Sequence, residues 1–193
     1  PPVNSVVDGK IIRFHATSTD SLNNRFLPSL HIVTECVMII DDDMKIHLND
    51  VNNLYVAWMK HKLHLVGVSP RWLESRGDEI DYLWQSEDPP YKNGIPDLDG
   101  KPREGYHLML TKAMVIHRDY LRLYSCGGHS LVNSSVYIDA EAENMRNMIL
   151  SYVDEAFNCE DIGINYVISS ALSRLGIAAP LFVEPTHRIG DFG

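Results

Sequence analysis

Apolar and polar positions alternate along this chain in blocks that read as strands and helices. Residues 10–14 form a short strand pattern, and residues 18–25 are polar and turn-rich, with Pro28 limiting any helix that follows. Residues 32–40 end in the unbroken run Val37-Met38-Ile39-Ile40. That continuity predicts a central strand buried on both faces, as in a parallel sheet. Asp50 is placed to cap a helix over 51–61, with Leu54, Tyr55 and Trp58 on one face. Residues 63–68 follow as a strand, so the stretch from 32 to 68 predicts a βαβ unit with a right-handed crossover.

From Trp72 to Gly105 the pattern dissolves into charges, prolines, glycines and the aromatics Trp72, Tyr82, Trp84 and Tyr91. That is too long for an ordinary connection, and it suits a ligand-facing flap or a surface insertion equally well. Strand character returns over 106–115. Asp139 then caps a helix with Glu141 and Glu143 in its first turn, where acids complement the dipole. Met145, Met148, Ile149, Tyr152, Val153 and Phe157 recur at helical spacing and predict a core stripe. After Cys159 a second helix is expected, buried through Ile164, Val167, Ile168, Ala171, Leu172 and Leu175 and ended by Gly176. Residues 181–183 close the series as a strand. The expected class is α/β in a single domain, 1–193, carrying the 72–105 insertion.

Composition narrows the function. The chain has 193 residues, 45% of them hydrophobic and 22% charged, as in ordinary globular proteins. A net charge of −9 argues against nucleic acid as a partner, since phosphate binding needs clustered Lys and Arg. No apolar run reaches membrane-spanning length. Pro1-Pro2 carries no initiator Met or signal-like stretch, so the sequence is expected to be an excerpt of a longer protein. Cys36, Cys126 and Cys159 lack metal-site spacing, and Cys36 is expected to pack as a small apolar side chain. Asn133-Ser134-Ser135 is a glycosylation sequon, meaningful in a lumenal setting only.

Three constellations could carry chemistry. Asp41-Asp42-Asp43 follows a strand end, where α/β sheets bind ligands. Three adjacent carboxylates repel one another, and either an acidic turn or a divalent cation carrying phosphates accounts for them. Asn158-Cys159-Glu160-Asp161 places Asn158 as an N-cap and both acids in the first helical turn. There the helix field favours ionised carboxylates, suited to face a sugar whose anomeric carbon turns positive. In Ser21-Leu22-Asn23-Asn24-Arg25, an arginine beside amides can hold a diphosphate or a nucleobase edge, or simply begin a helix.

These segments, with Val66-Gly67-Val68-Ser69-Pro70-Arg71 between them, occur in this order in the exostosin-like glycosyltransferases, glycosyltransferase family 64. The chain resembles that family from about Ile11 onward, and through Ser21-Leu22-Asn23-Asn24-Arg25-Phe26 it looks closer to plant-type and algal-type members than to animal heparan sulfate enzymes. The resemblance implies a GT-A fold, with a Rossmann-like nucleotide-sugar half joined to an acceptor half. It implies retaining, metal-dependent transfer of an N-acetylhexosamine from a UDP donor to a glycan or glycolipid acceptor. Asp41, Asp42 and Asp43 match its DXD motif, with Asp43 as the ligand of Mn²⁺ or Mg²⁺, and Asp20, Asn24 and Arg25 match donor-binding positions. Asp161 matches the carboxylate at the reaction centre, with Glu160 and Asn158 beside it.

Departures accompany the match. Asp20 stands where the family has Asn, and Lys112-Ala113 where it has Gly-Ala. The family's first strand and its C-terminal tail, with the usual disulfide partner of Cys159, are expected outside this sequence. The resemblance also implies the Golgi or endoplasmic reticulum lumen and a membrane anchor elsewhere in the protein, and it leaves a homo-oligomer open. A non-catalytic member that binds a nucleotide sugar or glycan is the alternative. A cytosolic phosphotransfer enzyme fits less well, because no Gly-rich phosphate loop is present.

Overall fold

The computed structural model describes residues 4–7, 9–76, 79–83, 107–129, 135–177 and 180–191. The N-terminal half contains β1 (Asn4–Val7), β2 (Lys10–Arg13), a 3₁₀ turn (Leu22–Phe26), β3 (Cys36–Ile40), β4 (Met44–Lys45), α1 (Leu48–Lys60) and β5 (Val66–Gly67). There follow β6 (Pro70–Arg76), β7 (Glu79–Leu83), β8 (Leu108–Met109), β9 (Ala113–His117), α2 (Asp119–Cys126), α3 (Ala140–Ala156), α4 (Glu160–Ser173), β10 (Leu181–Phe182) and β11 (Gly190–Asp191). The fold is mixed α/β.

The main sheet has the order β10–β5–β9–β3. All five residues of β9 are buried, and the strand runs antiparallel to both its neighbours, while β10 runs parallel to β5. The expected parallel β3–β5 pair is therefore corrected. The two strands point the same way but are separated by β9, and β3 lies at an edge of the described sheet. Its apolar run has another cause. Helices cover both faces, so Val37 and Ile39 feed one core while Cys36 and Met38 feed the other.

Leu54 and Trp58 of α1 pack on Val66, Ala113 and Val115 on one face. Tyr120 and Tyr124 of α2, with Ile164 and Ile168 of α4, pack on Met114 and Ile116 on the opposite face. Tyr55, expected beside Leu54 and Trp58, is 46% exposed. Helix α1 begins earlier than predicted. His47 is its N-cap, Nδ1 accepting from the Asn49 N–H at 3.2 Å, and Asp50 sits inside the first turn.

The α3 expectation holds at its start, where the Asp139 carboxylate accepts the Ala142 N–H at 2.9 Å. Its apolar stripe does not form a continuous core. Val153 is buried and Ile149 half-buried against the core, but Met145, Met148 and Tyr152 are exposed along a groove facing α4, and Phe157 is exposed past the helix end. Periodicity identified the face without fixing what it packs against. The α4 stripe is buried as predicted except Leu175, which falls past the helix end, and Gly176 terminates it with φ 68°.

The strand expected over 106–115 is broken into β8 and β9 by a turn at Thr111-Lys112, because the chain leaves a small β7–β6–β8 sheet for the main one. The insertion begins as the regular hairpin β6–β7. Its residues 77–78 and 84–105, and the sequon residues Asn133 and Ser134, lie outside the described residues. Helix α2, unforeseen from the sequence, buries Tyr120, Leu121, Leu123 and Tyr124 and stops at Gly127, which has φ 73°. No helix among the described residues is long and apolar enough to cross a membrane.

Candidate functional site

The acid triplet forms the turn that leaves β3. The Asp41 N–H donates to the Lys112 carbonyl and the Met44 N–H to the Asp41 carbonyl, both at 3.2 Å. A short ladder between β4 and β11 then ties this turn to the segment near the C-terminus. Asp42 is exposed. Asp43 differs, because its Oδ1 is buried and has no hydrogen-bond partner among the described residues. A carboxylate oxygen in that state is costly unless a cation or donor arrives. All-oxygen ligation of this kind suits Mn²⁺ or Mg²⁺.

The Ser21–Arg25 segment, expected as a loop, is a 3₁₀ turn capped by Ser21 Oγ, which accepts the Asn23 N–H at 3.0 Å. Asn23 pins the turn to two helices. Its amide donates to Leu150 O at 3.0 Å and Asp154 Oδ1 at 2.8 Å, and its Oδ1 accepts from Tyr124 OH at 2.7 Å. Phe26 is fully buried beneath. So anchored, Arg25 extends one guanidinium nitrogen to Glu160 Oε1 at 2.9 Å and the other to Asp41 Oδ1. One arginine thus joins the acid triplet to the start of α4. Both pairs are partly shielded, with Arg25, Asp41 and Glu160 side chains 25%, 24% and 13% exposed. Asn24 donates to Thr19 O at 2.7 Å and Thr17 Oγ1 at 3.1 Å, shaping the loop. Asp20, Asn24 and Arg25 line one open cleft of about 1080 Å³, together with Arg13 and His15.

Helix α4 is entered through two left-handed residues, Phe157 (φ 50°) and Cys159 (φ 69°). Each costs about 1–2 kcal/mol for a residue with a Cβ. This corrects the expected N-cap: Cys159 occupies that position, and Asn158 Oδ1 instead accepts the Cys159 N–H at 2.8 Å. Asn158 is exposed, and that local bond turns its amide onto the backbone. Glu160 and Asp161 are the first two helical residues, as expected.

Asp161 Oδ1 accepts the Ile162 N–H at 2.7 Å. Burial nonetheless pushes the Asp161 carboxyl above the ordinary range, and the Glu160 charge adds to that. The Ile162 N–H bond and the Arg25 charge oppose it. Burial thus works against the ionised form that was expected at this helix start.

Two residues absent from the sequence expectations hold this helix start. Gly163 allows close packing, since a Cβ there would meet Ile149 Cγ2 at 2.7 Å and Tyr124 OH at 3.1 Å. Asn165, fully buried, donates to the Asp161 carbonyl at 2.7 Å and brackets the Met109 backbone. The readable signal was a lone amide inside an apolar stripe.

A second cluster, His47, Asp50 and His187, brings candidate ligand atoms within 4.8 Å of one another. Its geometry is that of a latch. Asp50 Oδ1 accepts Thr186 N–H and O–H, each at 2.7 Å, and Oδ2 accepts His187 N–H at 3.2 Å with the ring Nδ1 at 3.0 Å. Although burial alone would raise the Asp50 carboxyl, the Thr186 and His187 hydrogen bonds bring it down to about 2. The two imidazoles stack at 3.8 Å, so their in-plane lone pairs do not converge, and the positive end of α1 lies beneath. Cys36, Cys126 and Cys159 are free thiols, with Cys36 packed against the α1-side core as expected.

Comparisons with known proteins show the family. A profile of the glycosyl transferase family 64 domain matches residues 4–189. The chain is 32% identical to glycosyltransferase family protein 64 C3 of Arabidopsis thaliana over 178 residues, 91% of this chain and 43% of that protein. It is 28% identical to glucosamine inositolphosphorylceramide transferase 1 of Oryza sativa subsp. indica, covering 97% of this chain and 21% of the rice protein. Identity is also 28% to glycosylinositol phosphorylceramide mannosyl transferase 1 of Arabidopsis thaliana, over 86% of this chain and 42% of that protein. The chain thus spans less than half the length of each of these relatives. Matched by that family model over nearly its whole length, the chain belongs to the exostosin-like glycosyltransferases of family 64.

Proposed function

We propose that this domain, with a GT-A architecture, is the donor-binding and reaction core of a metal-dependent retaining glycosyltransferase. It moves an N-acetylhexosamine (GlcNAc or GalNAc) from a UDP donor to a glycan or glycolipid acceptor in the Golgi or endoplasmic reticulum lumen. The observation that carries the reading is Arg25, which bonds Asp41 and Glu160 at once and so sets the acid triplet beside the start of α4.

Asp43 would supply the ligand for Mn²⁺ or Mg²⁺, because its Oδ1 is buried and unpaired among the described residues. The bound ion supplies Lewis-acid neutralisation of the diphosphate leaving group. Asp20, Asn24 and Arg25 line the open cleft, which would receive the nucleotide, and Asp41 and Asp42 would approach ribose and sugar from the turn beside it. The bond from the anomeric carbon to the diphosphate oxygen breaks, a bond to the acceptor oxygen forms on the same face, and the acceptor proton leaves with the departing phosphate. Asp161, ionised, offsets the positive charge on the anomeric carbon, either as a nucleophile or across an ion pair. Glu160 and Asn158 flank it toward donor and acceptor sugars. The rice and Arabidopsis relatives named for inositolphosphorylceramide substrates favour a glycolipid acceptor.

The test is a screen of UDP-sugars with the full-length protein and Mn²⁺, reading UDP release. No UDP-sugar binding and no UDP release would sink the proposal. A second reading, a member that holds a nucleotide sugar without turning it over, draws on Asn158 being folded onto its own backbone. Metal-dependent UDP binding by calorimetry, with no transfer to any acceptor tested, would select it.

A further inference from the structure

We infer that Asn165 is a positioning residue of this site, clamping the first turn of α4 to β8 and thereby fixing where the Asp161 carboxyl stands. The inference rests on the reading of Asp161 as the group facing the reacting sugar.

Asn165 is completely buried in a stripe that is otherwise apolar, and asparagine is a poor helix former. Its placement needs a cause, and the hydrogen bonds supply one. Oδ1 accepts the Met109 N–H at 2.8 Å, while Nδ2 donates to the Met109 carbonyl at 2.6 Å. The amide therefore serves both backbone groups of one β8 residue, as a neighbouring strand would. Only one amide orientation satisfies both bonds, so the side chain has a single register on the strand.

The third bond gives the clamp its direction. Nδ2 also donates to the Asp161 carbonyl at 2.7 Å, one turn earlier. In a helix that carbonyl is already served by the backbone N–H four residues on. A second donor is not needed to satisfy it. What the added bond does is tie the residue that carries the carboxyl, through one rigid amide, to Met109. Because α4 is entered through strained Phe157 and Cys159, its first turn needs such an outside reference. On the neighbouring faces Gly163 lets Ile149 and Tyr124 close in, so the turn is held from α2, α3 and β8 together. A shift of about 1 Å at a reacting group can cost a hundredfold in rate.

The experiment uses Asn165→Ala and Asn165→Asp in the full-length protein, with kcat by UDP release, UDP affinity by calorimetry and folding by circular dichroism. For folded Asn165→Ala the expectation is a kcat lowered at least about tenfold with the UDP Kd within about twofold of the parent. Asn165→Asp sets an acceptor against two carbonyls and a charge one turn from Asp161. The acidic limb of its kcat profile should therefore move to higher pH, which a packing defect alone would not cause.

Folded variants with parental kcat, or a loss confined to UDP affinity, overturn the inference. If neither variant folds, hydrogen exchange in the parent decides. Met109 N–H protection equal to that of β9 upholds the clamp, and exchange at the rate of exposed backbone overturns it. If the parent itself turns over no UDP-sugar, the proposed function fails, and the exchange measurement still decides whether Asn165 holds β8.

Discussion

Two groups of carboxylates stand at the ends of regular elements in this protein, and their surroundings separate them. The Asp41–Asp43 turn leaves a strand at the edge of the described sheet, with Asp42 exposed and one Asp43 oxygen buried and unpaired among the described residues. Glu160 and Asp161 open a helix. There Asp161 is shielded enough that burial raises its proton affinity, even with a backbone N–H donating to it. Solvent access and neighbours thus separate identical functional groups, and the proposed function gives the first a cation to grip and the second the charge that develops in a reaction. Arg25 belongs to both, so the two groups are geometrically one site.

The comparison breaks most sharply at Asp161. Asp161→Asn should lower turnover by about 100- to 1000-fold, in the range seen when a transition-state charge partner is removed, while UDP affinity stays at the parental value. Near-normal turnover would refute the assignment of the reaction centre. Asp43→Asn is expected to do the reverse, removing the Mn²⁺ dependence of UDP binding in a titration with and without chelator. Retained metal dependence would move the ligand elsewhere in the triplet.

Arg25→Ala tests whether the groups are joined. It leaves Asp41 and Glu160 facing each other without a cation, so UDP affinity and kcat should both fall, each by about tenfold, the scale of about 1.4 kcal/mol. An effect on one parameter alone would separate the two clusters.

The smallest expected effects concern pH. Because the folded state holds the Asp161 proton more tightly than the unfolded chain does, ionising Asp161 opposes folding. That cost is absent below the ordinary carboxylate value and grows as pH rises through the raised one. Asp161→Asn should therefore melt slightly higher than the parent at neutral pH, and equally with it near pH 3. The acidic limb of parental kcat should also lie above the ordinary carboxylate range.

Local pattern carried a good deal of this far. The Asp139 cap, the α4 stripe from Ile164 to Leu172 and the acids that open α4 were all readable, because each depends on residues within a turn or two. What could not be read depends on distant partners. Nothing near β3 states that β9 will lie between it and β5, and the same apolar run suits a parallel or an antiparallel neighbour. The Met145–Phe157 stripe has helical period, yet period does not say whether anything covers the face. Arg25 and Glu160 are 135 residues apart, and the resemblance gave each a role without giving their bond. Helix α2 is eight residues long, too short for its period to stand out before Gly127 ended it.

Phe157 and Cys159 have a consequence for anyone seeking a hardier version of this domain. Selection for heat resistance tends to recover substitutions that relieve local strain, and it is blind to what the strain was supporting. Glycine at 157 or 159 would relax the left-handed backbone, although its own chain entropy offsets part of that gain. Such survivors would tolerate heating while their α4 entrance wandered. A library sorted on thermal tolerance alone would therefore enrich for well-folded, slow transferases, and one sorted on turnover should keep Cβ-bearing residues at both positions.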